Sequence, residues 1–381
     1  MPHRSHQDKA RRKIGRRGLI TEGAMAACLA WALAPLRRAR AAAGLTSAAA
    51  PPLATSSALA SDISSDYNLL LVAGPATGRL AQWANLLCPL IGPGLGNGGS
   101  LHWNAVGAAD GVTAANQFDA RVSPDGSTAM LLPGAAATAQ LPGDPRAQFD
   151  AGSWVAGLAG VSSTVVMGRV PLAELPTNAP LLVLADEPGG ADLPILLGLS
   201  LLGYDVKPIN SQNTLGDPRA ALAGGQINIA SITGSAVRDV AVWQDAGLVP
   251  LFSLGSIDTD GGIGADPMFP ALPSLQNLLL AKGVSPLRPL PTAWRALCAA
   301  KQLTLGLVLP QLTPASRVAQ WRQACTDGIN SLTIQAIAAT ESLRFLSPPL
   351  PVATIAALTA PAGAQLELHQ WLDNRLGWRP S

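Results

Sequence analysis

The chain has 381 residues, and its 26 Lys and Arg against 24 Asp and Glu give a formal net charge of +2 at pH 7. Ten of those basic residues but only two of the acidic ones lie in the first 43 positions, which leaves 16 basic and 22 acidic side chains beyond them. The resulting net charge near −6 in residues 44–381, without clustered Lys and Arg, argues against nucleic-acid binding. A chain of this length exceeds one usual hydrophobic core and predicts two domains.

Residues 1–43 have the composition of an export signal. A basic segment at 11–17 precedes an apolar segment at 24–36, and the small residues at 41–44 predict cleavage there. The apolar segment is too short to span a membrane. Arg16 and Arg17 indicate the twin-arginine type of signal, with an ordinary secretion signal as the alternative. Residues 44–65, rich in Ala, Ser, Thr and Pro, are predicted to form a disordered tether.

Predicted strands and helices alternate from residue 67 onward. Short apolar runs predict strands at 68–74, 130–132, 161–167 and 181–184. Apolar residues at helical spacing predict helices at 80–91, 114–122, 193–202, 217–224, 235–246, 292–302 and 317–339. This alternation favours an α/β fold with mostly parallel sheets and right-handed crossovers.

Several short segments, in a fixed order along the chain, resemble one protein family. Residues 123–132 contain a Pro-Asp-Gly turn followed by a short apolar strand, and residues 222–228 read Leu-Ala-Gly-Gly-Gln-Ile-Asn. Thr313-Pro314 then opens a predicted helix directly after the apolar run 305–309. These segments are similar to those of the periplasmic receptors of tripartite tricarboxylate transporters, the Bug-type solute-binding proteins. The resemblance covers residues 66–375 and is that of a divergent member.

The resemblance implies a two-lobed, type II periplasmic-binding-protein-like fold. Each lobe would be a mostly parallel sheet flanked by helices, with lobe one at 66–168 and 303–381 and lobe two at 169–302. The chain would cross the hinge twice, near Val165 and near Leu307. The family also implies a monomeric periplasmic receptor, not an enzyme, that captures a small organic acid without a cofactor and delivers it to membrane permease subunits. Residues 292–302 look like an insertion relative to the family, and no role is assigned to them.

Glycine-rich loops before helices are the candidate ligand contacts, because such loops present backbone N–H groups and the positive end of a helix dipole to an anion. Within lobe one the candidates are Gly74, Thr77, Gly78, Arg79, Gly107, Asp110, Gly111 and Gly134. Arg79 could clamp a carboxylate or simply point into solvent. Asp110 would repel an anion, so either it faces solvent or the ligand carries a hydrogen-bond donor.

Lobe two offers a second set of small and hydroxyl-bearing residues. The candidates are Gly189, Gly190, Ser231, Thr233 and Ser235. Hydroxyl groups at the end of a strand suit an oxygen-rich ligand, whereas Ser235 could alternatively cap the following helix. No motif for a metal, a cofactor or a catalytic set is evident, since His102 and His369 lie far apart without a partner motif.

Two other interpretations stay open. The loops depart from the family pattern, so the chain could be a degenerate receptor that acts as a sensor or partner protein. It could also be a periplasmic enzyme exported by the twin-arginine route. Three cysteines follow the predicted signal, and Cys298 and Cys325 are the more plausible pair for a disulfide, although spacing alone does not establish one.

Overall fold

The structure is a computed structural model and describes residues 68–96, 99–210 and 217–380, which belong to one compact unit. The predicted signal peptide and tether lie outside these residues. No helix in the described ranges is long and apolar enough to cross a membrane.

The strands form two main sheets and one small hairpin. In chain order they are β1 (Asn68–Ala73), β2 (Leu101–Val106), β3 (Thr128–Leu132), β4 (Val155–Ser162), β5 (Thr164–Gly168), β6 (Leu181–Leu184), β7 (Val206–Ile209), β8 (Ile229–Thr233), β9 (Val249–Ser253), β10 (Ser256–Ile257), β11 (Ile263–Gly264), β12 (Leu303–Leu309) and β13 (Leu343–Phe345). The first sheet has the order β13-β4-β12-β3-β1-β2, and the second has the order β7-β6-β8-β5-β9.

Helices cover both sheets. In chain order they are α1 (Arg79–Ile91), α2 (Val112–Arg121), α3 (Ala135–Gln140), α4 (Leu193–Leu201), α5 (Pro218–Ala223), α6 (Val240–Asp245), α7 (Leu275–Ala281), α8 (Pro289–Gln302), α9 (Ala315–Ile329), α10 (Leu332–Thr340), α11 (Leu350–Ala356) and α12 (Ala362–Leu376). The fold class predicted from the sequence, α/β with two sheets flanked by helices, is confirmed.

Each sheet has parallel pairings on one side and antiparallel pairings on the other. In the first sheet β1 pairs in parallel with β2 and β3, while β12 runs antiparallel to β3 and β4. In the second sheet β6 pairs in parallel with β7 and β8, while β5 runs antiparallel to β8 and β9. β12 and β5 each arrive from the other sheet and run against the long strands of their own, so the carboxyl ends of those long strands share one edge. The short edge strand β13 also runs antiparallel to its neighbour, β4.

The chain passes from the first sheet to the second at Ser163. The sequence predicts one strand over 161–167, but β4 ends at Ser162 and β5 begins at Thr164, each in its own sheet. The single helix predicted over 317–339 is likewise two helices, α9 and α10. Asn330 and Ser331 separate them, and both residue types favour helix ends over helix interiors.

One continuous apolar cluster contains residues of both sheets. It includes Met130 of β3, Val166 of β5 and Trp294 of α8, all buried. Helix α8 contacts α3 and α12 as well as α4, so it lies between the elements that cover the two sheets. Nine of its fourteen residues are buried. Its apolar surface is therefore wider than that of a helix that packs on one side only.

The three described cysteines are free and buried. Cys298 lies on α8 and Cys325 on α9, in different apolar clusters, so the pairing considered from the sequence does not form. Burial raises the pKa of the Cys88 and Cys325 thiols to about 12 and also raises that of Cys298, which keeps all three thiols protonated at neutral pH.

Candidate functional site

The loops at the carboxyl ends of β1 and β2 lie side by side. The Gly74 N–H donates to the carbonyl of Val106 at 2.9 Å. A Cβ atom placed on Gly74 would lie 3.8 Å from the Ala108 carbonyl oxygen. Two of the loops predicted from the sequence are therefore neighbours at one edge of the first sheet. This is the position at which open α/β sheets bind ligands.

A cavity of about 410 Å³ opens between this edge and the loop that follows β6. Its lining includes Asp110, Ala135, Thr138, Asp144, Arg146, Glu187, Gly189, Gly190 and Trp378. Three of the residues predicted from the sequence, Asp110, Gly189 and Gly190, line it together although they come from different sheets. We call this space the interlobe cavity.

Arg146 is the cation of the interlobe cavity, and two carboxylates hold it. Its Nε and Nη2 donate to Asp144, with the shortest distance 2.6 Å, and its Nη1 donates to Asp110 Oδ2 at 3.2 Å. The Arg146 guanidinium holds the pKa of the Asp144 carboxyl below its usual range, mainly by hydrogen bonding. These bonds engage three of the five N–H donors of the guanidinium, and its side chain is 64% exposed.

Both carboxylate oxygens of Asp110 therefore have partners within the protein. Its Oδ1 accepts a hydrogen bond from the Val112 backbone N–H at 3.2 Å, at the start of α2, while Oδ2 faces Arg146. With Asp144 and Glu187, three carboxylates and one guanidinium line the interlobe cavity. The formal charge of these four groups is −2, which disfavours a ligand with several negative charges.

The carboxyl-terminal segment closes one side of the interlobe cavity. Trp378 Nε1 donates to Glu187 Oε1 at 3.3 Å. A Cβ atom at Gly189 would collide with the Trp378 ring, so only glycine permits this contact. Gly189 is therefore explained by close packing of an indole that itself lines the cavity.

Helix α8 covers two other predicted positions. The Gly134 N–H donates to the Leu303 carbonyl at 3.0 Å, and a Cβ at Gly134 would collide with the Ala300 carbonyl. Ser231 Oγ donates to Asp192 Oδ1 at 2.9 Å, and Lys301 Nζ reaches the same oxygen at 2.8 Å. Gly134 and Ser231 thus serve contacts made by α8 and its ion pair, and they are absent from the lining of the interlobe cavity.

Arg79 has a protein carboxylate as its partner. Its Nη2 donates to Glu341 Oε2 at 2.9 Å, and Trp83 Nε1 donates to the same oxygen at 3.0 Å. Of the neighbouring predicted residues, Thr77 is exposed and Gly78 is the N-cap of α1. The Arg79 side chain is 50% exposed, and its ion pair joins α1 to the segment before β13 at the surface.

The remaining predicted residues hold backbone or hydroxyl contacts. Gly107 and Gly111 have φ of +79° and +78°, where a side chain would be strained. Thr233 Oγ1 lies 3.0 Å from Thr164 Oγ1 and so joins β8 to β5. Ser235 is exposed in a six-residue 3₁₀ segment, Gly234–Asp239, and no side chain caps that segment.

Sequence reasoning missed Arg146, Trp378 and Lys301. Asp144-Pro145-Arg146 is visible as a polar turn, but Asp110 lies 36 residues away and only the fold brings it near. Lys301 is 109 residues from Asp192, and Trp378 is 191 residues from Glu187. In the described ranges no group of three His, Cys, Asp or Glu side chains is arranged to hold a metal ion.

Comparisons with known proteins agree with this architecture. No protein-family model matches the sequence, and no curated protein matches it. A TctC solute-binding protein from Polaromonas is 14% identical over 80% of this chain and 97% of its own, with a TM-score of 0.54. The periplasmic binding protein BugD matches 81% of this chain and 97% of its own at 17% identity, with a TM-score of 0.44.

A third solved structure, MatC from Rhodopseudomonas palustris with bound malate, matches 81% of this chain and 98% of its own. Its identity is 17% and its TM-score is 0.44. At these identities the likeness to the TctC protein concerns the fold. The chain has the two-sheet fold of periplasmic solute-binding proteins.

Proposed function

We propose that this chain is an extracytoplasmic solute-binding receptor that captures a small organic acid in the interlobe cavity. The observation that carries the proposal is the meeting of Asp110, after β2, with Gly189 and Gly190, after β6, around one space of about 410 Å³. Cavities of this size suit small molecules. Receptors of this architecture bind by closing their two halves around a solute.

The charges of the cavity narrow the ligand class. Arg146 keeps free N–H donors for one carboxylate, and Asp110 and Glu187 accept hydrogen bonds from a hydroxyl or amino group of the same ligand. A second carboxylate would add to a surrounding charge of −2. The ligand is therefore a monocarboxylate that carries a donor group, in preference to a di- or tricarboxylate.

The remaining parts of the proposal follow from the sequence. Residues 1–43 export the chain to the periplasm, by the twin-arginine route, and residues 44–65 tether the folded part. Lobe one comprises 66–168 and 303–381, and lobe two comprises 169–302. The receptor is a monomer without enzymatic activity, and its partners are the permease subunits of a tripartite tricarboxylate-type transporter.

A thermal-shift screen tests the proposal. Hydroxy- and amino-monocarboxylates such as lactate and L-serine are compared with succinate and citrate. A ligand at a thousandfold excess over its dissociation constant adds roughly 4 kcal/mol to the free energy of unfolding, so the midpoint should rise by several degrees. The shift should disappear in Arg146→Gln and persist in Arg121→Gln, an exposed arginine on α2.

A second candidate function is favoured by the contacts around Arg79, Gly134 and Ser231. Protein groups occupy all three: Glu341, the end of α8, and the Asp192–Lys301 ion pair. A degenerate receptor that acts on a partner protein needs no ligand at these positions. A flat screen, together with no small molecule carried through purification, would favour this function over solute capture.

A further inference from the structure

A second cavity, of about 340 Å³, lies where the chain passes from the first sheet to the second. Ser163, between β4 and β5, and Arg344 of β13 line it from the side of the first sheet. Asp266 and Met268, which follow β11, line it from the other side. None of the residues predicted from the sequence as ligand contacts belongs to this lining, and we call it the crossover cavity.

Asp266 is a buried carboxylate whose two oxygens differ. The residue is 1% exposed. Oδ1 accepts hydrogen bonds from Ser163 Oγ at 2.8 Å and from the Met268 backbone N–H at 2.9 Å. Oδ2 is buried and finds no hydrogen-bond partner in the described part of the chain. A buried acceptor without a donor is costly, so a donor that enters the cavity from outside gains a strong, charge-assisted bond.

The same cavity contains a cation. Arg344 lines it and donates from Nη2 to Ser256 Oγ at 2.8 Å, which leaves further N–H donors of the guanidinium. Burial lowers the pKa of Arg344 and the charge of Asp266 raises it, and a guanidinium stays protonated throughout the physiological range. Val161, Met268 and Leu343 supply apolar lining beside these two charges.

We propose that the crossover cavity binds a small zwitterion, an α-amino acid with an apolar side chain. Its ammonium group donates to Asp266 Oδ2, its carboxylate accepts from Arg344, and its side chain lies against Val161, Met268 and Leu343. This site is separate from the interlobe cavity and stands whether or not that cavity binds an organic acid. Arg344 lies on the side of the first sheet and Asp266 on the opposite side of the cavity, so the bound amino acid contacts both sides.

Isothermal titration calorimetry of the purified protein tests this inference with three compounds that share the branched alkyl chain of leucine. L-leucine carries both charges, 4-methylpentanoate lacks the amine, and 3-methylbutylamine lacks the carboxylate. L-leucine is expected to bind, and each analogue is expected to bind roughly tenfold to hundredfold more weakly, as the loss of one hydrogen bond to a charged group costs.

Two variants test which protein group binds the ammonium group of L-leucine and which binds its carboxylate. Asp266→Asn keeps an oxygen that can accept from Ser163 and Met268, and it should remove the preference for L-leucine over 4-methylpentanoate. Arg344→Gln should remove the preference for L-leucine over 3-methylbutylamine. Glu367→Gln, at an exposed carboxylate of α12 that lines neither cavity, is the matched control and should leave L-leucine binding unchanged, while unfolding midpoints without ligand report that each variant folds.

Three outcomes would overturn the inference. One is absence of L-leucine binding to the folded wild-type protein. Another is unchanged L-leucine affinity in folded Asp266→Asn or, if that variant does not fold, in Arg344→Gln. Loss of L-leucine binding in Arg146→Gln, with unchanged binding in both variants of the crossover cavity, would place the amino acid in the interlobe cavity and contradict the assignment. L-leucine is also an amino-monocarboxylate, so Arg146→Gln is the variant that distinguishes failure of this inference from failure of the proposed function.

Discussion

The ion pair of Lys301 and Asp192 is the most enclosed charge pair of the described residues. The side chains are 9% and 19% exposed, and the Nζ to Oδ1 distance is 2.8 Å. Ser231 donates to the same carboxylate oxygen, so Asp192 receives both its counter-charge and a hydrogen bond from outside its own helix. Removal of one partner leaves the other charge without compensation, which is more costly than loss of the attraction alone.

Lys301→Met should therefore destabilise the protein strongly. We expect the free energy of unfolding to fall by about 3 kcal/mol, the low end of the range for a broken buried pair, because Asp192 keeps some contact with solvent. Urea denaturation at pH 7 measures the change through the shift of the midpoint at constant slope.

The double variant Lys301→Met with Asp192→Asn is the control for this measurement. It removes both charges and keeps an oxygen for Ser231, so most of the lost stability should return. A single variant that costs less than about 1 kcal/mol, as an exposed ion pair does, would contradict the burial of the pair.

Sequence reasoning reached the site residues whose role depends on their own loop. Asp110, Gly189 and Gly190 follow strands directly, and strand ends can be predicted from apolar runs. Arg146 and Lys301 act through partners 36 and 109 residues away, and no local pattern encodes such a distance. Gly134 precedes α3 and Ser231 lies in β8, and for both the approach of α8 decides what they contact.

Among the elements, α8 decides the contacts of two predicted site residues, Gly134 and Ser231. The sequence predicts a helix over 292–302, and the structure extends it back to Pro289, since proline fits the first turn of a helix, where its missing N–H is not needed. Its position against α3, α4 and α12 could not be predicted, because nine of its fourteen residues are buried and their spacing does not say which neighbour each side of the helix meets.

Trp294 anchors this helix, and its removal should loosen both sides. It is fully buried, and its Nε1 donates to the Pro194 carbonyl at 2.8 Å. Trp294→Ala should lower the free energy of unfolding by about 3–5 kcal/mol through the cavity and the lost transfer energy. Thermal and urea denaturation of the variant measure this change.

Leu287→Ala is the matched control, because Leu287 precedes α8 and is 85% exposed. Its effect should stay within about 0.5 kcal/mol, as expected for a surface position. Equal effects of the two substitutions would contradict the anchoring role of Trp294.

Strand β2 shows the limit of pattern reading at the element scale. His102 and Asn104 are exposed on this edge strand, so its sequence lacks the apolar run that identified β1 and β3. The strand nevertheless pairs along its whole length with β1, from Asn68 with Leu101 to Ala73 with Val106. Such a strand forms because its backbone hydrogen-bonds to a buried neighbour, and this pairing leaves no pattern in the strand's own sequence.

At the scale of the whole molecule, the fold class could be predicted because strands and helices alternate with clear periods. The extent of packing between the two sheets and their helices could not be predicted. One apolar cluster runs from β3 through α8 to β5, and Trp371 of α12 donates from Nε1 to Ser200 Oγ of α4 at 3.0 Å. These contacts depend on helices that pack across the sheets, which residue periodicity does not specify. The proposed binding site lies in the interlobe cavity, where the loops that follow β2 and β6 meet.

A fluorescence titration tests the central claim, solute binding in the interlobe cavity, most directly. Trp378 lines that cavity, so the monocarboxylate with the largest thermal shift should change the tryptophan emission of the wild-type protein in a saturable way. The account predicts that Trp378→Phe loses most of this change, whereas Trp243→Phe, on α6, keeps it. A change of the same amplitude in Trp378→Phe, or no saturable change in the wild type, would contradict the account.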